Sequence, residues 1–207
     1  MRTFVYVDGF NLYYGALKGT PFRWLDLVSL FEKVLQPHHD ILTVKYFTAR
    51  VSGTPADPWT PQRQDVYLRA LQHFRREVDV YYGHFLSHTV NAPLAQPIGG
   101  RLTAEVIRTE EKGSDVNLAV QLLNDGWLDA YDCAVVVSND SDIAEAMRLV
   151  RELDGKRIGL VTPGTRRASR QLTKYAHFSR NIRSNVLQRS QLPHRIPGTN
   201  IRKPALW

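Results

Sequence analysis

Two apolar runs far apart in the chain each end on aspartate. Phe4-Val5-Tyr6-Val7 leads into Asp8, and Ala134-Val135-Val136-Val137 leads into Ser138-Asn139-Asp140-Ser141-Asp142. Short, continuous runs rich in valine and aromatics read as strands buried on both faces, the pattern of a parallel sheet. Helical and strand patterns alternate between and around them. Strands are predicted at 3–8, 41–50, 78–86, 101–110, 132–138 and 157–162, and helices at 10–17, 25–35, 61–77, 115–124, 141–153 and 166–175. Asp26 is placed to cap the second helix, and Pro61 to open the third. Residues 87–100 hold two prolines and two glycines and read as a loop.

Such alternation predicts an α/β fold, a three-layer α/β/α sandwich around a mostly parallel sheet. Ligands of open sheets bind beyond the carboxyl ends of the strands, where the strand order reverses. Asp8 and Asp140 end two strands, Asp142 follows in the next turn, and Asp115 opens a helix after Lys112-Gly113-Ser114. Four carboxylates on one edge repel one another unless a cation sits among them. Oxygen donors of this kind suit Mg²⁺ or Mn²⁺, which points to phosphate chemistry. The competing reading is that these aspartates are helix caps, for which Asp115 and Asp142 are well placed. Asn11 could steady a metal-bound water or a phosphate oxygen, or only a turn. Lys112 and Arg50 are candidates for substrate phosphate, and Tyr13 and Tyr14 for base stacking or core packing.

At 207 residues and 43% hydrophobic, the chain fits one domain with no apolar stretch of membrane-spanning length. Its start runs straight into a strand, and its single cysteine, Cys133, lies in a core strand. A cytoplasmic setting is the expectation. The net charge of +7 is unevenly spread: residues 155–207 carry 12 Lys or Arg and no acid, whereas residues 1–154 balance at −5. A basic stretch without acids suggests a polyanion partner. Within it, Arg166, Arg167 and Arg170 follow a strand's carboxyl end and are expected to hold a nucleic-acid backbone. Residues from 191 on hold three prolines and read as a basic tail after a domain spanning 1–190. The seven histidines show no ligand spacing, and there is no Walker loop and no Gly-x-Gly-x-x-Gly.

Three motifs occur in order: Val7-Asp8-Gly9-Phe10-Asn11-Leu12-Tyr13, Lys112-Gly113-Ser114-Asp115-Val116-Asn117-Leu118-Ala119, and Ser138-Asn139-Asp140-Ser141-Asp142. Together they resemble the NYN domain family, LabA-like proteins included, within the PIN-like nuclease superfamily. The likeness runs over about residues 1–190. It implies a PIN-like Rossmannoid sheet, Mg²⁺ or Mn²⁺, and hydrolysis of RNA phosphodiesters. It assigns the metal to Asp8, Asp115, Asp140 and Asp142, and matches Asn11 to the family's helix-start asparagine. One departure stands out: where many relatives carry a further acid in the helix, this chain has Gln121. The expected activity is that of a metal-dependent ribonuclease cutting internally. The alternative is an RNA-binding regulatory module that keeps the metal site with little or no turnover. A phosphatase or Toprim-like enzyme fits less well, since Toprim places glutamate where this chain has Asp8, and dehalogenase-type phosphatases need an acid where Phe10 stands. The oligomeric state is left open, a homodimer included.

Overall fold

A computed structural model describes residues 1–153 and 155–207. The strands are β1 (Arg2–Asp8), β2 (Asp40–Ala49), β3 (Val78–Ile98), β4 (Arg101–Lys112), β5 (Cys133–Val137), β6 (Arg157–Thr162) and β7 (Phe178–Asn181). The helices are α1 (Gly9–Leu12), α2 (Leu27–Val34), α3 (Thr60–Phe74), α4 (Ser114–Trp127), α5 (Ala144–Glu152), α6 (Arg170–Tyr175) and α7 (Ser184–Gln188). A π-helical turn, Tyr13–Leu17, continues α1, and a 3₁₀ turn, Ser141–Ile143, precedes α5. The strands form one seven-stranded sheet in the order β4-β3-β2-β1-β5-β6-β7. All neighbours are parallel except β3 and β4. The fold is thus the expected PIN-like α/β architecture.

Alternation along β1 divides the core. Val5 and Val7 join one apolar layer with Leu12, Trp24, Phe31 and Leu71, while Tyr6 joins the other with Phe47, Leu118, Leu122 and Met147. Cys133 is buried within β5, as predicted. Among the described residues no helix is long and apolar enough to cross a membrane.

Three sequence expectations need correction. Residues 87–100 are not a loop: β3 runs to Ile98 and turns through Gly99 and Gly100 into β4. Both glycines have positive φ, 56° and 79°, as a two-residue hairpin turn of matching twist requires. Pro93 and Pro97 fit because this two-stranded arm has free edges, where a missing N–H breaks no ladder. The segment after 190 is not a loose tail. Leu192 and Ile196 are buried, Trp24 Nε1 donates to the Pro193 carbonyl at 3.0 Å, and Trp207 packs edge-on to Trp24. Finally, β7 and α7 lie where no element was expected.

Candidate active site

The chain builds outward from β1 in both directions, so strand order reverses between β1 and β5. That is where an open sheet leaves its ligand crevice. Asp8 ends β1, and in the paired register Val7 faces Val137. Ser138 is therefore beside Asp8, and its hydroxyl donates to Asp8 Oδ2 at 2.9 Å. Asn11 donates to the same carboxylate twice, from its backbone N–H at 2.9 Å and its side-chain amide at 2.7 Å. Asp140 Oδ1 accepts from the Asp142 N–H at 3.0 Å, while the Asp140 N–H donates to Ser138 Oγ.

Asp115 arrives by a different route. Beyond Gly83, β3 overhangs the sheet, and β4 returns antiparallel to pair Lys112 with His84 at the level of the carboxyl edge. Gly83 makes the return possible, because a Cβ there would lie 2.6 Å from the Lys112 carbonyl and collide with Glu111. Glu111 accepts from Ser114 N–H at 3.1 Å and Ser114 Oγ at 2.7 Å, which fixes the first turn of α4.

Asp8, Asp115, Asp140 and Asn11 line one hollow together with Glu111, Ser114, Phe10, Tyr14 and Phe85. Among the described residues no Lys, Arg or His lines it. The four aspartates divide between caps and first-turn acids, Asp115 and Asp142 being the first-turn pair. Asp8 and Asp140 do cap their turns, whereas Asp115 accepts no hydrogen bond among the described residues and the N-cap of α4 is Gly113. Desolvation, reinforced by Asp8, Asp140, Glu111 and Asp142, pushes the Asp115 pKa up to about 6. Burial also raises that of Asp8, against the pull of its hydrogen bonds.

The donor set suits a hard divalent cation, all oxygen and in part without partners. Asp8, Asp115 and Asp140 are the ligand candidates, and Asp142 is exposed beside them. Among the described residues no three His, Cys, Asp or Glu side chains already stand as a closed ligand set.

The crowding has a thermodynamic consequence in metal-free protein. A carboxyl that holds its proton more tightly folded than unfolded lowers stability as pH rises from about 4 to about 6. We expect Asp115→Asn, in chelator, to raise stability at pH 7.5 by about 1 kcal/mol after discounting for solvent screening. At pH 3.5 the two proteins should unfold alike. Urea titrations at both pH values measure it, and no gain at pH 7.5 would mean the carboxylates do not crowd.

The predicted basic contacts divide. Arg166 lines an adjoining hollow with Asn11, Asn139, Phe10 and Tyr14. Arg167 and Arg170 are exposed next to it. Asn139 ties their loop to the site, donating to the Arg167 carbonyl at 3.2 Å and accepting from the Ser169 N–H at 2.7 Å. Lys112 turns to Glu110 at 2.8 Å and lines none of these hollows. Arg50 lies over the Tyr82 ring and 3.7 Å from Asp65, outside them as well. Arg157 and Arg180 lie near His38 and His39, beside Met1, so only part of the basic segment faces the carboxylates. Tyr13 is half-buried, whereas Tyr14 is 59% exposed on the rim. Glu111, Ser138 and Asn139 were missed as site residues. Their signal was position alone: Ser138 and Asn139 sit inside a motif already singled out, and Glu111 directly precedes another.

Gln121 points away from the carboxylates. Its Oε1 accepts from Lys45 Nζ at 2.7 Å, and Lys45 also pairs with Asp125 at 2.6 Å in the buried seam between α4 and the sheet.

Comparison with known proteins agrees with this fold. A solved structure of a protein of unknown function from Vibrio parahaemolyticus superposes with a TM-score of 0.55 at 19% identity, covering 89% of this chain and 94% of the other. A relative named 6-hydroxy-3-succinoylpyridine 3-monooxygenase HspA, from Pseudomonas putida, is 37% identical over all of this chain and 74% of its own length. The NYN domain model matches residues 2–180. The chain belongs to the NYN domain family, and through it to the PIN-like nuclease superfamily.

Proposed function

We propose that the protein is a divalent-metal-dependent ribonuclease that hydrolyses RNA phosphodiester bonds internally. The observation that carries this reading is the gathering of Asp8, Asp115 and Asp140 in a cation-free hollow at the sheet's switch point. A bound Mg²⁺ or Mn²⁺ would neutralise the scissile phosphate and acidify a water. The chain's own residues do the rest. Asn11 and Ser138 hold Asp8 in one orientation, and Asn139 holds the arginine loop beside the hollow. Arg166 offers its planar fork to a neighbouring phosphate, and Tyr14 offers a face to a base. The test is incubation of mixed-sequence RNA in chelator, then with Mg²⁺ or Mn²⁺ restored. Cleavage that returns with the ion supports the proposal. RNA that is bound but uncut leaves the regulatory RNA-binding module.

Backbone binding should release counterions. For single-stranded RNA each phosphate contact adds about −0.7 to the slope of log affinity against log salt. Arg166→Glu/Arg170→Glu is expected to flatten that slope by about 1 to 1.5 and to weaken RNA more than Mn²⁺ binding. An unchanged slope would move the strand off this edge.

A second reading comes from the Pseudomonas relative, whose name gives it monooxygenation of a hydroxylated pyridine. The observation favouring it here is an aromatic cavity next to the carboxylates. Such a reaction consumes dioxygen and a reductant. Dioxygen uptake driven by 6-hydroxy-3-succinoylpyridine, with no metal-dependent RNA cleavage, would replace the hydrolytic reading.

A further inference from the structure

Across the ridge of Phe10 and Tyr14 from the carboxylates lies a cavity of about 300 Å³. The ridge lines both spaces, and Phe10 is braced from the hairpin arm by Phe85, edge-on at 5.8 Å. Tyr13, Tyr46, Tyr67 and Trp207 form much of the remaining wall. The hydrolytic chemistry makes no use of this space.

Two side chains lining it, Tyr46 and Arg23, carry polar groups without a partner among the described residues. Tyr46 is only 8% exposed, yet its hydroxyl makes no hydrogen bond among the described residues. That hydroxyl stands against the Asp8–Gly9 turn, since a Cβ on Gly9 would lie 2.8 Å from it. Arg23 makes no ion pair or side-chain hydrogen bond among the described residues. Its guanidinium lies 5.9 Å from the Trp207 ring, and its Nε is enclosed without an acceptor. Native interiors seldom leave such groups unmatched. Two polar neighbours, by contrast, are satisfied: Arg63 pairs with Asp57, and Gln64 spans the Ala49 carbonyl and the Val51 N–H at 2.9 and 3.0 Å. The Arg23 guanidinium can only donate, and the Tyr46 hydroxyl can donate or accept.

Flat apolar walls, unmatched donors and a volume at the small end of ligand cavities suit one planar heterocycle with acceptor edges. The shared ridge puts it within reach of a strand at the carboxylates. We infer that the cavity takes one nucleobase of the bound RNA, with guanine preferred over adenine. Guanine presents N7 and O6, both acceptors, to a donor-lined wall, whereas adenine presents an N6 donor beside N7. Tyr14 and Phe10 supply the stacking surface. This rests on the RNA reading of the carboxylate site and adds a base preference to it.

The test uses full-length Asp140→Asn protein, which should hold RNA without cutting it. Binding is measured for a short oligoadenylate and for versions with one central guanine or one central abasic position. The guanine version is expected to bind about tenfold more tightly than either other, the worth of one or two good hydrogen bonds. Tyr46→Phe and Arg23→Gln, each added separately, should shrink the guanine-to-abasic ratio toward one. Using two variants guards against a folding defect in either. A ratio near one in the parent, or a ratio that neither variant changes, overturns the inference. So does tryptophan quenching by a pyridine carboxylate such as nicotinate when guanine gives no preference, since the cavity would then serve a free small molecule. Metal-dependent cleavage blind to the base would overturn the cavity inference and leave the ribonuclease reading standing. Loss of all RNA binding would overturn both.

Discussion

Asp140→Asn should lower metal-dependent RNA cleavage by about a hundredfold or more. Altering groups that merely orient a ligand typically costs ten- to a hundredfold in affinity or activity, and a direct ligand costs at least that. This substitution is the cleanest available at the site. Asp140 Oδ1 accepts from the Asp142 N–H at 3.0 Å, and an asparagine Oδ1 can accept the same bond. The 3₁₀ turn should survive while the charge is removed. Asp8→Asn is a poorer test. Both oxygens of Asp8 accept, one from the Asn11 N–H and the other from the Asn11 amide and Ser138 hydroxyl. An amide there must turn its own donors against donors, so lost activity would mix misfolding with lost charge. Asn11→Ala leaves the ligand and loosens its support, and should cost about ten- to a hundredfold. The measurement is the initial cleavage rate of a defined RNA across a Mn²⁺ titration. If Asp140→Asn cuts within about threefold of wild type at saturating Mn²⁺, the carboxylate hollow is not the reaction centre; a true ligand should cost at least the tenfold expected of its supports.

How far the site was legible follows from the kind of signal each residue gave. Asp8 and Asp140 could be placed because the valine-rich runs before them mark strand ends, and parallel strands share one carboxyl edge. Asp115 was placed on that edge for an incomplete reason. No ordinary crossover leads to it; a long antiparallel arm overhangs the sheet and brings the chain back. Its return strand was predicted at 101–110, but the outer part of β3 was not, because Pro93 and Pro97 argue against a strand wherever the sheet has a partner on both sides, and here it does not. The Gly99-Gly100 pair was the available hairpin signal, and it was counted as loop composition. Lys112 and Arg50 line neither hollow, and charge alone does not say which acid a long side chain will meet first. Glu110 lies two residues from Lys112, and Asp65 projects from α3 toward Arg50. The packing of residues 191–207 was missed for a similar reason. Three prolines suppress helix and strand patterns, yet Leu192, Ile196 and Trp207 still bury apolar surface without either.

Lys45→Met should destabilise the protein by about 3–5 kcal/mol, the usual cost of removing one partner from a buried ion pair. Lys45 and Asp125 have side chains only 8% and 9% exposed and meet at 2.6 Å. Tyr6 donates to the same Asp125 oxygen at 2.6 Å, and Lys45 reaches Gln121 at 2.7 Å. In the β1–β2 register Lys45 faces Tyr6, so the network clamps α4 across both strands. Removing the ammonium leaves a buried carboxylate with one neutral donor, and removing both charges leaves little to strand. Lys45→Met/Asp125→Leu should therefore recover most of the loss, despite leaving the Tyr6 hydroxyl and the Gln121 amide short of partners. Domains of this kind are stable by about 5–15 kcal/mol in all, so the single variant should unfold at visibly lower urea. The network also explains Gln121. A second acid beside Asp125 would set two buried carboxylates against one lysine, whereas a neutral amide accepts from the lysine without adding charge. Because the clamp sets the height of α4 under Asp115, the single variant should bind Mn²⁺ more weakly as well as unfold sooner. Urea titrations of wild type, both single variants and the double variant give the coupling directly. Single variants within 1 kcal/mol of wild type, well below the buried-pair range, would show that the seam does not need the pair.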